Sequence, residues 1–362
     1  MTASAAPSPL PIETPALVVG AGPVGLFQVF QLGLLDIPSH VVDALPHVGG
    51  QPVELYPDKP IYDVPGIPMC TGRELAEALL KQASPFKPGI HLSRTVESVE
   101  RQADGRLLVG VSGGMRFLAR TLFIAGGVGA FLPRTINLEG LPAFEGTQLF
   151  YRLEDAGDLA GRRVVVVGGG EEAIDMLDRI CRATERNPGS APAHLALVHR
   201  RDAFNASDEA LERLRLLRAG GAVHFTAGMP TGIDTTDGLI SSLQLLTPEG
   251  TPGTEPLDVL IIAQGLSPRL GPITQWGLAM ERKQLVVDTE HFQTSEPGIF
   301  AVGDINTYPG KKKLLVCGFH ECAMAAYAAA PIVHPGRPVQ LQYTTTSTRL
   351  HQLLGVPHPG RG

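Results

Sequence analysis

Twice in 362 residues an apolar run stops abruptly in glycine: ALVVGAGPVG at 16–25 and VVVVGGGEEA at 164–173. Each run has the length of a buried strand and is rich in valine, and each leads into a helix-forming segment, PVGLFQVFQLGLL at 23–35 and EEAIDMLDRICRA at 171–183. A further apolar strand follows in both cases, HVVD at 40–43 and LALVHRR at 195–201. Strand, glycine turn, helix and strand make a βαβ unit, which buries its helix against a parallel sheet. The fold class expected is therefore α/β, with two Rossmann-like, three-layer nucleotide-binding domains. At 43% hydrophobic residues the chain has material for two cores.

Two more strands end in glycine, RTLFIAGG at 120–127 and VLIIAQG at 259–265, and both are natural crossing points between domains. Residues 129–264 then form a domain inserted into another built from 1–128 and 265–362. The opening MTASAAPSPLPIETP lacks a basic segment and an apolar core, so residues 1–14 read as a disordered arm and not as a signal peptide. The proline-rich stretch GGQPVELYPDKPIYDVPGIP at 49–68 reads as a long loop, a length that inside a compact domain points to function.

Gly20, Gly22 and Gly25 form G-x-G-x-x-G between strand and helix, with Pro23 at the helix start. The first glycine permits the tight turn, the second lets backbone approach a pyrophosphate, and the third lets helix pack on strand. Asp43 ends the next strand, where a carboxylate accepts hydrogen bonds from a free ribose diol. In the second unit Gly168, Gly170 and Ala173 give G-x-G-x-x-A, and the following strand ends in His199, Arg200 and Arg201. Two guanidinium groups at that point match a 2′-phosphate, which a carboxylate would repel. The two loops imply two dinucleotides, FAD at the first and NADPH at the second. Glu171 and Glu172 suit the helix dipole yet stand close to where a pyrophosphate would lie.

Composition narrows the partners. A net charge of −6 disfavours nucleic acid, and no apolar run reaches about 18 residues without glycine, proline or charge, so no membrane span is expected. Cys70, Cys181, Cys317 and Cys322 contain no Cys-x-x-Cys, which fits a reducing cytoplasm and buried structural thiols. His40, His91, His224 and His291 stand alone, with no metal-ligand spacing, and no metal is expected.

With these residues in view, the sequence resembles the flavoproteins of the thioredoxin reductase type, and within them the thioredoxin reductase-like ferredoxin–NADP+ reductases. The marks are GGQ at 49–51, ELYPDKPIYDVPGIP at 54–68, GIFAVGD at 298–304 and the tail YTTTSTRLHQLL at 343–354. The resemblance implies that Gly50 and Gln51 lie along FAD and that Asp304 bonds its ribityl–pyrophosphate region. It further implies that Tyr56 and Tyr343 flank the flavin, with Thr344 beside the latter, as part of a tail (340–362) over the rings, and that the protein is a homodimer.

Thioredoxin reductases carry a redox-active Cys-x-x-Cys just ahead of the second glycine loop. Here that region, GTQLFYRLEDAGDLAGRR at 146–163, has no cysteine, so dithiol exchange cannot occur there. The flavin must then pass electrons directly outward, which favours ferredoxin or flavodoxin as partner. Lys311, Lys312 and Lys313 are candidates for steering an acidic partner, against the simpler reading of a solvated loop. Two competing readings stay open at this level. One is a flavin-dependent NADPH oxidoreductase acting on a disulfide, quinone or oxygen, and the other a non-catalytic flavin-binding protein.

Overall fold

The computed structural model describes residues 10–151, 159–339 and 343–355. Most of the expected arm, part of the cysteine-free segment and both ends of the expected tail lie outside the described residues. The chain falls into two compact units, one of residues 1–131 and 268–362, the other of residues 132–267. The crossings lie three residues beyond those expected from the glycine-ended strands.

In the first unit, β1 (Ile12–Val19) leads through the glycine turn into α1 (Pro23–Leu34) and β2 (Ser39–Val42). Contrary to the expected arm through residue 14, Ile12, Glu13 and Thr14 are already strand, paired in register with Phe117, Leu118 and Ala119. The proline-rich stretch is not all loop either. It contains a short helix, α2 (Gly50–Leu55), ahead of α3 (Gly72–Ala83), whose Thr71 and Glu74 form a reciprocal capping box. Four further strands, β3 (Gly89–His91), β4 (Val96–Arg101), β5 (Leu107–Val111) and β6 (Met115–Ile124), complete most of the sheet. Its order is β3-β2-β1-β6-β5-β4, parallel from β3 to β6 and antiparallel beyond.

The second unit holds an all-parallel sheet in which β7 (Leu149–Phe150) is an edge. Next along the chain come β8 (Arg163–Val167), α4 (Glu171–Arg186), β9 (His194–His199), α5 (Asp208–Ala219) and β10 (His224–Ala227). An antiparallel sheet of β11 (Met229–Thr236), β12 (Leu239–Leu246) and β13 (Pro252–Pro256) follows, and β14 (Val259–Ile262) returns to the parallel sheet. The parallel order is β7-β14-β8-β9-β10. Period-2 alternation explains why VVVV is apolar throughout. Val164 and Val166 pack with Ile174, Leu177 and Leu214 of the helices, while Val165 and Val167 pack with Leu243 and Leu245 of the antiparallel sheet. The three layers are thus helices, parallel sheet and antiparallel sheet.

Back in the first unit, β15 (Ile299–Ala301) pairs in parallel with the last residues of β6. Then α6 (Leu315–Val333) packs on α1 and β6, and α7 (Thr348–Leu353) ends the described chain. By length and composition α6 is apolar enough to cross a membrane, although Gly318, Glu321 and Pro331 interrupt it, and it buries a stripe from Cys322 through Ala326 to Val333 in the core. That stripe, with α1 on one side and sheet beneath, is the signature of a core helix.

Candidate functional site: two glycine cradles

The first cradle is built from backbone. Gly20 has φ +111°, and a Cβ there would lie 2.5 Å from the carbonyl oxygen of Ala125; one on Gly25 would lie 1.8 Å from the Gly20 oxygen. Both glycines are demanded by close approach of the helix to its strands. Gly22 differs, because its φ is an ordinary −72° and its nearest neighbour would be the Gly50 Cα at 3.7 Å. Gly50, at φ +56°, faces it in turn, and the Gly49 amide donates to the Ala21 oxygen at 2.8 Å. The GGQ turn therefore lies against the glycine loop, and together they present a bare backbone surface at the uncapped amino end of α1. Among the described residues no side chain comes within 4 Å of a Cβ placed on Gly22, which suits a pyrophosphate held by helix amides.

Asp43 stands at the end of β2 beside this surface. One carboxylate oxygen accepts from the Ala21 amide at 2.5 Å and the other from the Leu45 amide at 2.7 Å. Burial pushes its pKa up, and these amides and His47 oppose that rise. Each oxygen retains a lone pair for a ribose hydroxyl, so the acid fits the role while bracing the loop. Asp304, in a tight turn at Gly303–Ile305, has no hydrogen-bond partner for its carboxylate among the described residues, and burial raises its pKa against the pull of Lys311 and Lys313. Burial and then the charges of Asp304 and Asp63 likewise push the Tyr56 phenol up. Tyr56 and Asp304 are thus near enough to feel one another.

The described part of the expected tail packs on α1 through α7. Arg349 in α7 pairs with Asp36 and donates to the Gly33 oxygen at 3.1 Å, at the carboxy-terminal end of α1 and opposite its glycine loop. Tyr343 is 68% exposed, and it makes no ring contact with Tyr56 among the described residues.

The second cradle is more crowded. A Cβ on Gly168 would lie 2.2 Å from the Ala263 oxygen, and the fully buried Ala173 serves as the close-packing third position. Gly169, which the motif leaves unspecified, is also required: His199 covers it, and a Cβ there would lie 2.2 Å from the imidazole. Burial, then Arg200 and Arg201, hold the His199 pKa below its usual value. Neither arginine has an acidic partner among the described residues, although Asp202 follows them directly. Arg218 takes that acid in a two-pronged bond of 2.7 and 2.9 Å, leaving both guanidinium groups exposed and available.

Glu171 and Glu172 part company. Glu171 accepts from the Ser207 hydroxyl at 2.7 Å, turned away from the loop. Glu172 bends over it: Oε2 would lie 2.6 Å from a Cβ on Gly170, and Oε1 3.1 Å from one on Gly265. The open face at the second glycine is thus covered by a carboxylate with no hydrogen-bond partner among the described residues, and a phosphate bound there would have to displace it against like charge. Glu172→Gln is expected to tighten NADP+ binding about fivefold in calorimetric titration, an effect that fades as salt rises.

Two expectations are corrected, and one residue went unread. Lys311 is not a docking lysine, since its side chain is 6% exposed and paired at 2.5 Å with the fully buried Glu321; only Lys312 and Lys313 are exposed. His40 and His91 are not solitary but stacked, with Nδ1 and Nε2 3.0 Å apart. Glu321 was missed altogether. Its signal was a lone acid in the otherwise apolar LVCGFHECAMAAYAAAPIV, a pattern that marks a buried, partnered carboxylate. The four cysteines are free, Cys317 and Cys322 stand five apart on α6, and no cluster among the described residues could hold a metal.

Two nucleotide-binding α/β units, one inserted in the other, define a two-dinucleotide oxidoreductase. The fold is that of the Lactococcus lactis thioredoxin reductase (TM-score 0.57, 20% identity, covering 88% of this chain and 99% of that one). It is also that of the Staphylococcus aureus bacillithiol disulfide reductase (TM-score 0.59, 14% identity, 88% and 98%). A family model, pyridine nucleotide-disulphide oxidoreductase, matches residues 14–329. A ferredoxin–NADP reductase from Albidiferax ferrireducens is 55% identical over 96% of this chain and 98% of its own length, and a ferredoxin–NADP reductase 2 from Cupriavidus metallidurans is 51% identical over 98% and 94%. The chain belongs to the pyridine nucleotide-disulphide oxidoreductase family and, within it, to the ferredoxin–NADP reductases.

Proposed function

We propose that this chain is an FAD-dependent ferredoxin–NADP reductase whose first unit holds FAD and whose second holds NADP(H). The observation that carries the nucleotide assignment is the contrast between the two strand ends, a half-buried Asp43 at one and, at the other, Arg200 and Arg201, exposed and without an acidic partner among the described residues. FAD held there would supply hydride exchange with NADP(H) and one-electron transfer to an iron–sulfur or flavin protein. The chain's part is placement. In the first unit, Gly20, Gly22 and Gly25 with Gly50 and Gln51 support the pyrophosphate, Asp43 takes the ribose and Asp304 the ribityl region. Tyr56 and Tyr343, with Thr344, flank the flavin. In the second, Gly168, Gly170 and Ala173 shape the loop, and His199, Arg200 and Arg201 take the 2′-phosphate.

The cysteines favour this reading over a disulfide reductase, because none lies in residues 146–163, just ahead of the second glycine loop, and burial pushes Cys181 up to about 11. Anaerobic titration should consume one NADPH per flavin; a requirement for two would reveal a reducible disulfide. The deciding experiment is anaerobic stopped-flow reduction by NADPH and by NADH, followed by ferredoxin. Rapid bleaching by NADPH alone, then rapid reoxidation by ferredoxin, is expected; a flavin that stays oxidised would make this a binding protein. Flavodoxin is expected to substitute for ferredoxin in the same assay. The protein is expected to sediment as a homodimer, and its free thiols accord with the cytoplasm.

A further inference from the structure

The acid missed in the sequence stands at the centre of an enclosed polar cluster in the first unit. Glu321 has no exposed side-chain surface, and its two oxygens accept four hydrogen bonds. One takes the Gly303 amide at 2.7 Å and the Asn306 side chain at 2.8 Å; the other takes the Tyr308 hydroxyl at 2.9 Å and Lys311 at 2.5 Å. Lys311 also donates to the Gly303 oxygen at 2.9 Å. The two members of one ion pair therefore grip the amide and the carbonyl of a single residue, and that residue immediately precedes Asp304. Gly303 needs the grip, since its φ of +81° is a conformation with many alternatives for a glycine in solution. Its Cα is also wedged against Val24 of the glycine-loop helix, from which a Cβ would be 3.2 Å away.

A buried pair is a costly way to gain stability, because desolvating both charges offsets much of their attraction. Its recognised use is to fix one geometry. We propose that Glu321 and Lys311 are positioning residues for the FAD site: by clamping both sides of the Gly303 peptide they set where the Asp304 carboxylate stands. Neither side chain touches the cofactor. The inference rests on the reading that Asp304 bonds FAD.

The test is a double-mutant cycle on FAD affinity, read from the quenching of FAD fluorescence as apoprotein is added. Asp304→Asn, Glu321→Gln and Lys311→Met are each combined, with NADP+ affinity and far-ultraviolet dichroism reporting the fold. Each single change is expected to weaken FAD roughly tenfold or more, with NADP+ affinity unchanged. Adding Glu321→Gln or Lys311→Met to Asp304→Asn is expected to weaken it by less than about twofold further, because the clamp then has nothing left to position. Full additivity, or unaltered FAD affinity in the clamp variants, would overturn the proposal. So would failure of both clamp variants to fold, which would make the pair a requirement for folding. If Asp304→Asn itself binds FAD normally, the reading beneath the inference fails instead, and the two failures are distinct.

Discussion

Replacing Arg200 and Arg201 together by alanine is expected to lower kcat/KM for NADPH about a hundredfold while leaving NADH nearly untouched. Charge-assisted hydrogen bonds contribute about 1.5–3 kcal/mol each, and after discounting for the exposure of both side chains the pair amounts to roughly 3 kcal/mol. The reason to expect the full effect is that the arginines are not already spent. Arg218 holds Asp202, the nearest acid in sequence, so no partner among the described residues competes for them. Steady-state kinetics with both nucleotides checks this, and an equal loss for NADH would mean that the arginines act on a part common to the two.

The second large effect belongs to Gly22. Gly22→Ala is expected to fold and melt like the parent yet be purified without colour, with FAD affinity reduced at least about a hundredfold. Alanine is tolerated by the protein itself, because φ is ordinary and the nearest atom to the new methyl is 3.7 Å away. What the methyl obstructs is the approach of phosphate to the helix amides, each such bond worth about 1.5–3 kcal/mol. Gly25→Ala is the contrasting control. There a methyl would be driven to 1.8 Å from the Gly20 oxygen, so the apoprotein's melting temperature must fall as well. Thermal scans of both apoproteins beside fluorescence titrations separate the two causes of lost colour.

The parts of this molecule legible in the sequence are those governed by local rules. Valine runs buried on both faces, glycines forced by close backbone contact and a change of charge at a strand end each leave a mark within ten residues. The parts that were not legible depend on residues far apart. Nothing near Lys311 says that its charge is satisfied ten positions later inside a helix, so three consecutive lysines read as one exposed run. His40 and His91 meet only because β2 and β3 are neighbours in the sheet. The antiparallel sheet β11–β13 also escaped notice: its strands are interleaved with polar and turn residues, and only alternate positions such as Leu243 and Leu245 are core. Even the acid pair after the second glycine loop could not be resolved into one residue turned toward Ser207 and another turned over the loop.

The insertion also sets a timetable for biosynthesis. The second unit is one uninterrupted stretch, 132–267, whereas the first must wait for the chain to return: Leu122 of β6 pairs with Ile299, which leaves the ribosome only after the whole second unit has been made. At about 5–20 residues per second that interval is on the order of ten to thirty seconds. Throughout it, the carboxy-terminal half of β6 is an open sheet edge and α1 lacks α6. The nascent first unit therefore spends its youth as an unfinished sheet, the stage at which it is most exposed to aggregation and most in need of a chaperone.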